Sequence, residues 1–111
     1  MPNLISLLCP SRGRPKELER LIKSIANTAT IPSRIEVLIY VDDDDPEKFE
    51  YLLSHKNLVL EPLFSKLANI DLLVDQPFRT PILNNILSDR AQGNILMITN
   101  DDQIFRDKNW D

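Results

Sequence analysis

The amino-acid sequence predicts an α/β domain with a mostly parallel sheet of about four strands and helices on both faces. Four short apolar runs alternate with segments of helical periodicity, which is the pattern of consecutive βαβ units. The runs are apolar almost throughout rather than at every second residue, as expected for parallel strands that are covered on both sides. With 111 residues, of which 42% are hydrophobic, the chain fits one domain with a single core.

The first strand and the first helix are predicted next to each other. Residues 4–9 form an apolar run that is broken only by Ser6 and closed by Pro10, which indicates a buried strand. A helix is predicted over residues 15–28, because Pro15 is favourable in a first helical turn. Its apolar residues recur at the i, i+3, i+4, i+7 spacing of one helical face: Leu18, Leu21, Ile22 and Ile25.

The second strand is predicted over residues 35–41, where nearly every residue is apolar or β-branched. A short helix should follow Pro46, on the pattern of Phe49, Leu52 and Leu53. Residues 57–69 leave two alternatives open, either a plain loop or a loop with a helical turn around residues 64–67.

The last two strands enclose a third helix. Strands are predicted over residues 70–74 and 95–99, and a helix over residues 80–92 should end at Gly93. The sheet that results has consecutive parallel strands joined by right-handed crossovers.

Composition narrows the class of protein. The formal charge of −4, from 13 basic and 17 acidic residues, argues against a nucleic-acid partner, although a local basic cluster remains compatible with one phosphate group. Cys9 is the only cysteine, so one chain can build neither a disulfide framework nor a thiolate zinc site, and we expect a reducing, cytoplasmic setting. No basic segment precedes the first apolar run, and no run approaches the roughly 18 apolar residues of a membrane span, so we expect neither a targeting signal nor a span.

Polar residues follow three of the four predicted strands. Pro10, Ser11, Arg12, Gly13 and Arg14 follow the first; Asp42, Asp43, Asp44 and Asp45 follow the second; and Asn100, Asp101 and Asp102 follow the fourth. Ligands of parallel sheets bind beyond the carboxyl ends of the strands, so these residues should gather along one edge, which we call the polar rim.

The polar rim poses an electrostatic problem. Six carboxylates and two guanidinium groups are predicted there, and like charges a few ångströms apart repel unless something neutralises them. Oxygen ligands of this kind suit Mg²⁺ or Mn²⁺, with substrate phosphates and water at the remaining positions. A nucleoside diphosphate is the natural bridging ligand, and Arg12 and Arg14, just ahead of a helix N-terminus, would add positive potential near that anion.

Each polar segment also has a purely structural interpretation. The four aspartates before Pro46 fit a solvated loop and helix cap, Asn100 to Asp102 fit a turn, and Ser11 to Arg14 fit an ordinary strand-to-helix connection. A calcium loop of the EF-hand type is excluded, because Glu47 stands where glycine is needed and Leu53 where a bidentate glutamate belongs. With two glycines in the chain there is no Walker or Rossmann phosphate loop, and hydrolase-triad and zinc motifs are missing. Lone residues fit structural roles, with His55 at the surface or a helix end and Cys9 in the core.

The order of these segments resembles the N-terminal half of GT-A glycosyltransferases, especially the inverting family 2 type. The segments are ISLLCPSRGRPKELERLIKSI, then EVLIYVDDDD, a helix, GNILMITNDDQIF and NW. The resemblance covers essentially the whole chain. It implies a truncated, Rossmann-like GT-A fold, with one nucleotide-diphospho-sugar-binding domain over residues 1–111 and no acceptor half.

The resemblance implies a divalent cation, Mn²⁺ or Mg²⁺, at the DXD-type motif after the fourth strand. Asn100-Asp101-Asp102 matches this motif, with Asn100 in place of its first acid. Asp102 is implied as the metal ligand, and Asp101 as a second ligand that also reaches toward the ribose or the donor sugar. Asn84 and Asn85 lie on the third helix, in a segment that the family tends to keep polar.

The same resemblance implies contacts to the nucleotide. Of the acids after the second strand, Asp43 best matches the residue that hydrogen-bonds the base, often uracil, with Asp42 next. Pro10 and Ser11 are implied to touch the nucleoside, and Arg79 the base or the diphosphate. The predicted nucleotide-binding residues are Pro10, Ser11, Arg12, Arg14, Asp42, Asp43, Arg79 and Asp101.

The implied function is transfer of a sugar from a UDP- or GDP-sugar to an acceptor hydroxyl by direct displacement at the anomeric carbon. The family's catalytic base lies in its C-terminal half, so we expect little or no transferase activity from this polypeptide alone, whether it is a fragment or naturally short. An unpaired sheet edge beside the fourth strand should favour a homodimer. Two alternatives stay open: a non-catalytic α/β binding module with a solvated acidic rim, and a nucleotidyltransferase, for which Ser11-Arg12-Gly13-Arg14 is a poor phosphate loop.

Overall fold

A computed structural model describes residues 4–60, 66–77, 80–101 and 104–106, and it confirms the α/β fold with one parallel sheet. The sheet has four strands in the order β3-β2-β1-β4, all parallel. The elements along the chain are β1 (Ile5–Ser11), α1 (Pro15–Thr28), a 3-10 turn (Pro32–Arg34), β2 (Ile35–Asp42), α2 (Lys48–Leu60), β3 (Asn69–Asp75), α3 (Thr80–Arg90) and β4 (Ile95–Ile98).

The two central strands are buried on both faces, as their continuous apolar sequence predicts. Every residue of β2 is buried, and β1 pairs with β2 from Ile5↔Ile35 through Ser11↔Val41. Side chains alternate between two cores on opposite faces of the sheet. One core includes Leu7 and Val37 and packs against α1 and α2, whereas the other includes Leu8 and packs against α3.

Helix α1 forms over the predicted residues because its signals are local. Pro15 occupies the first turn, and the four apolar residues of the predicted stripe are buried in the larger core. Full burial of each such side chain is worth about 1.5–3 kcal/mol, so the stripe alone fixes which face of the helix meets the sheet.

Helix α2 forms where it was predicted but is longer than expected. It continues to Leu60, and the apolar residues that predicted it are exposed: Phe49 by 71%, Leu52 by 44% and Leu53 by 55%. The buried side chains are instead Tyr51 and Leu58, seven residues apart and therefore on one face. The predicted helix is confirmed, although the apolar residues that indicated it do not form its buried face.

The connection from α3 to β4 is fixed by a buried carboxylate. Glu36 is 2% exposed, and its Oε1 accepts hydrogen bonds from Ser6 Oγ at 2.5 Å and from the amide of Gln92 at 2.7 Å. The amide of Gly93 donates to Ser6 Oγ at 2.9 Å, and a Cβ at Gly93 would collide with that oxygen. These bonds draw the backbone out of the helix, so α3 ends at Arg90, two residues before the predicted end.

Strand β4 lies at one edge of the sheet. Among the described residues it pairs with β1 alone, from Ile5↔Ile95 to Leu8↔Ile98. Its side chains are unusually exposed for an apolar strand: Ile95 by 40%, Leu96 by 47% and Ile98 by 62%. The predicted open edge beside the fourth strand is therefore present in this part of the chain. No helix within the described ranges has the length and apolar character needed to cross a membrane.

Candidate functional site

The polar rim forms where β1, β2 and β4 end. Ser11 closes β1, Asp42 closes β2, and Asp101 lies three residues beyond β4. Ser11 Oγ donates to Asp101 Oδ2 at 2.7 Å, which joins the ends of the first and fourth strands directly. Gathering of these strand ends, predicted from the parallel topology, is therefore seen for the residues that the structure describes.

Arg12 pairs with two of the aspartates after β2. Its Nη1 donates to Asp42 Oδ2 and to Asp44 Oδ1, each at 2.7 Å. The pKa of the Arg12 guanidinium is raised above its ordinary value, by its hydrogen bonds to Asp44 and then to Asp42. Because arginine is charged at every accessible pH, this pair acts as a fixed neutralising contact rather than a titrating one.

Asp45 has a structural role. It is 2% exposed, and its Oδ2 accepts from the amide of Gly13 at 2.7 Å while its Oδ1 accepts from the amide of Glu47 at 2.8 Å. Gly13 has a φ of +66°, a left-handed conformation that glycine adopts without a steric penalty. Asp45 thus joins the β1–α1 turn to the start of α2. Of the four aspartates before Pro46, it has the helix-capping role that the structural interpretation predicted.

Asp101 is held by Ser11 and Arg14. It is 8% exposed; Arg14 Nη1 lies 3.5 Å from its Oδ1, a looser contact than the 2.7 Å bond from Ser11 to its Oδ2. Ser11, 6% exposed, lies 2.7 Å from the hydroxyl of Tyr51, and that hydroxyl also accepts from the amide of Arg14 at 2.7 Å. Tyr51 was missed by sequence analysis, because its polar partners come from distant parts of the chain.

Two buried side-chain oxygens in the described part of the chain lack a hydrogen-bond partner: Asp42 Oδ1 and Asn84 Oδ1. Asp42 is 8% exposed and Asn84 is half-buried on α3. Side-chain alternation along β2 places Asp42 on the same face as Leu38 and Tyr40, which is the face that α3 covers. Buried acceptors without donors are costly, so both oxygens are suited to a ligand that supplies N–H or O–H groups.

The other predicted site residues are distributed as follows. Asp43 is exposed at the end of β2, where its amide donates to the carbonyl of Asp75 at 2.7 Å. Pro10 is half-buried within β1. Asp102 and Arg79 lie outside the described residues, so the metal ligand and the basic contact implied by resemblance stay predictions.

A complete metal centre is not formed by the described residues, which contain no group of three or more His, Cys, Asp or Glu side chains placed to hold an ion. The chemistry of the rim nevertheless fits a hard cation, because its charged acceptors are all carboxylate oxygens. Asp101 Oδ1 is the best placed of these, since its contact with Arg14 spans 3.5 Å.

The lone histidine and the lone cysteine have packing roles. His55 is half-buried on α2, and its Nε2 lies 2.7 Å from the carbonyl oxygen of Ile70 in β3. Cys9 is buried in the core, as predicted, and burial raises the pKa of its thiol to about 12. The nearby charge of Asp101 makes a smaller contribution to the rise in the Cys9 pKa.

A groove of about 610 Å³ runs between α1 and α2 and contacts the rim only at Gly13. Its charged lining residues are four glutamates and one lysine: Glu17, Glu19, Glu47, Glu50 and Lys16. The other lining residues are uncharged. Neither of the two buried acceptors without a partner, Asp42 Oδ1 and Asn84 Oδ1, lies in this groove, so the rim rather than the groove is the candidate nucleotide site.

Comparisons with known proteins agree with this architecture. No protein-family model matches the chain. A curated relative, the O-antigen biosynthesis protein RfbC of Myxococcus xanthus, is 27% identical over 106 residues, which are 96% of this chain but 8% of the relative.

Solved structures of S. aureus TarS have the same fold over 89% of this chain. TarS 1-349 matches with a TM-score of 0.65 and 17% identity, over 27% of its own length. Its complexes with UDP-GlcNAc and with UDP match with TM-scores of 0.61 and 0.60, at 17% and 20% identity, over 26% and 27% of their lengths. The chain spans about a quarter of these structures, and the resemblance to GT-A glycosyltransferases drawn from the sequence is confirmed at the level of the fold.

Proposed function

We propose that this chain is the nucleotide-sugar-binding domain of a GT-A-type glycosyltransferase that transfers a sugar to an acceptor hydroxyl. The observation that carries the proposal is the convergence of Asp42, Arg12, Asp101 and Arg14 at one rim of a parallel sheet, with a buried oxygen of Asp42 lacking a donor. Support also comes from the fold of TarS, which has been crystallised with UDP-GlcNAc and with UDP.

The proposed nucleoside contacts lie at the end of β2. Asp42 Oδ1 would accept from an imide N–H of the base or from a ribose hydroxyl, which removes the cost of an unpaired buried acceptor. Asp43, exposed beside it, would offer the second acceptor. Pro10 and Ser11 end the neighbouring strand β1 and would contact the nucleoside, as the resemblance implies.

The proposed diphosphate contacts are the guanidinium groups of Arg12 and Arg14. Both side chains are 54% exposed, so each can turn toward an incoming anion. Arg14 also directly precedes α1, whose N-terminal amides favour negative charge. Arg79 would add a third positive charge if the resemblance holds at that position.

A divalent cation, Mn²⁺ or Mg²⁺, would be held by Asp102 and by Asp101 Oδ1. When bound, it would stabilise negative charge on the leaving nucleoside diphosphate. The residues of this chain bind and orient the donor; the acceptor contacts and the catalytic base would lie in further polypeptide, as they do in the family that the chain resembles. We therefore propose that the 111-residue polypeptide binds the donor and transfers little or no sugar.

A second candidate function is a non-catalytic binding module. It is favoured by the contacts of Arg12, which pair with Asp42 and Asp44 without any ligand. The rim would then be a solvated acidic surface that its own arginines compensate only in part.

Calorimetric titration with UDP and with GDP, in Mn²⁺ and in excess chelator, separates the two functions. We expect binding that is tighter with metal, weakened by Asp42→Asn and, in its metal-dependent part, by Asp102→Ala. Asp71→Asn is the matched control. Asp71 forms an ion pair with Arg90 at 2.7 Å, and this pair lies away from the carboxyl ends of the strands, so removing its charge should leave affinity unchanged. Absence of binding to either nucleotide would refute the donor-binding proposal and favour the module.

A further inference from the structure

We propose that Tyr51 is a positioning residue that sets the carboxylate of Asp101 for donor binding, acting through Ser11. The inference rests on the proposed function, but it concerns a residue of α2 that touches no proposed ligand. Tyr51 lies between two groups that both contact Asp101: the hydroxyl of Ser11 and the backbone at the base of the Arg14 side chain.

The chemistry of the three side chains fixes the direction of every hydrogen bond. An ionised Asp101 only accepts, so the single hydroxyl proton of Ser11 is given to Asp101 Oδ2. Ser11 Oγ can then only accept from Tyr51, whose own oxygen accepts from the amide of Arg14. The bonds run in one direction, from the Arg14 amide through Tyr51 and Ser11 to Asp101.

Burial makes this chain of bonds strong and specific. Tyr51, Ser11 and Asp101 are 2%, 6% and 8% exposed, so water competes poorly for any of the three groups. Burial also raises the pKa of Tyr51 above its ordinary value, with a smaller opposing effect from its contact with Ser11, so the hydroxyl keeps the proton that it donates.

The arrangement divides the two oxygens of Asp101 between different tasks. Oδ2 is committed to Ser11 at 2.7 Å, whereas Oδ1 has the looser 3.5 Å contact with Arg14. Oδ1 is therefore the oxygen that can exchange Arg14 for a ligand. Tyr51 fixes Ser11 on one side and the Arg14 backbone on the other. The Tyr51 hydroxyl therefore determines where Oδ1 of Asp101 points.

If the Tyr51 hydroxyl only stabilised the fold, removing another equally buried tyrosine hydroxyl should affect Asp101 in the same way. Tyr40 provides that matched control. Tyr40 is 1% exposed, and its hydroxyl donates to the carbonyl of Gln76 at 2.6 Å. It lies on the face of β2 that α3 covers, whereas Tyr51 packs on the other face of the sheet. Tyr40→Phe removes the same group from an equally buried site without touching Ser11 or Asp101.

The test makes two measurements, each with its own control. Without ligand, the ¹³Cγ resonance of Asp101 should move in Tyr51→Phe and stay in place in Tyr40→Phe. With UDP and Mn²⁺, Tyr51→Phe should weaken affinity by about tenfold or more, the size of effect seen when partners behind a metal ligand are removed. Asp71→Asn, which removes an ion pair with Arg90 away from the proposed contacts, should bind as the wild type does.

A double-mutant cycle locates the effect. In an Asp101→Asn background the tyrosine substitution should have no further effect on affinity, because the residue through which it acts is already neutral. Ser11→Ala breaks the same chain of bonds at its next link, should reproduce the loss, and replaces Tyr51→Phe if that variant does not fold. Independent, multiplying effects of Tyr51 and Asp101, or an unmoved Asp101 resonance, would overturn the inference. Failure of the wild type to bind any nucleotide would refute the proposed function instead.

Discussion

Arg12 Nη1 lies 2.7 Å from Asp42 Oδ2, and this contact joins the turn after β1 to the end of β2. The aspartate is far more buried than the arginine, with side-chain exposures of 11% and 54%. A buried carboxylate thus depends on a solvent-accessible cation for its charge balance. Any ligand that attracts Arg12 must also compensate Asp42.

The first prediction concerns this dependence. Arg12→Ala should lower the thermal unfolding midpoint, because it leaves both oxygens of Asp42 without a donor. Asp42→Asn in the same background should recover part of the loss by removing the uncompensated charge. Calorimetry of the two single variants and the double variant measures the coupling, and strictly additive midpoints would contradict it.

The second prediction concerns Glu36 at the opposite end of the sheet. Glu36→Ala should reduce the free energy of unfolding by about 2–3 kcal/mol, because Ser6 and the Gln92 amide lose their buried acceptor. Urea denaturation measures the change. Asp71→Ala, which removes a solvent-exposed ion pair with Arg90, should cost about 0.2–1 kcal/mol or less. Equal losses in the two variants would contradict the role given to Glu36.

The third prediction concerns Cys9. Desolvation raises the pKa of its thiol from 9.0 to about 12, so the native thiol stays protonated and should react negligibly with aromatic disulfide reagents at pH 8. Above pH 9 the unfolded chain ionises at this position while the native chain does not, so stability should fall from about pH 9 to about pH 12. In Cys9→Ala this part of the alkaline decline should disappear, and rapid labelling of the folded wild type would contradict the prediction.

The fourth prediction concerns the edge strand β4. Its open side and its exposed Leu96 and Ile98 should support pairing with a second copy at high concentration. Ile98→Lys should shift sedimentation toward the monomer, since a charge on a strand edge opposes pairing. Leu53→Lys, at an apolar position on α2 that is 55% exposed against 62% for Ile98, is the control and should leave the profile unchanged. A wild type that sediments as a monomer at every concentration would remove this proposal.

The fold could be predicted from the sequence where its signals are local. Pro15 and the stripe of α1 occur within one helix, and the alternation of apolar runs determines a parallel sheet whose polar ends must share a rim. Helix α2 was predicted, but its buried face could not be, because the exposed Phe49 and Leu53 are as apolar as the buried Leu58. Tyr51 could not be found in this way, because its partners Ser11 and Arg14 are 40 and 37 positions away in the sequence.

The strand order β3-β2-β1-β4 has a consequence for how the rim assembles. Pairing of β1 with β4 joins segments about 90 positions apart, as the Ser11–Asp101 bond shows, whereas β1 and β2 meet across about 30. Loop-closure entropy and contact order favour the nearer partner first, so the last edge strand should dock onto a core that already exists. The proposed nucleotide site would then form only in the last step of folding. Before β4 docks, Asp101 would not yet lie beside Ser11.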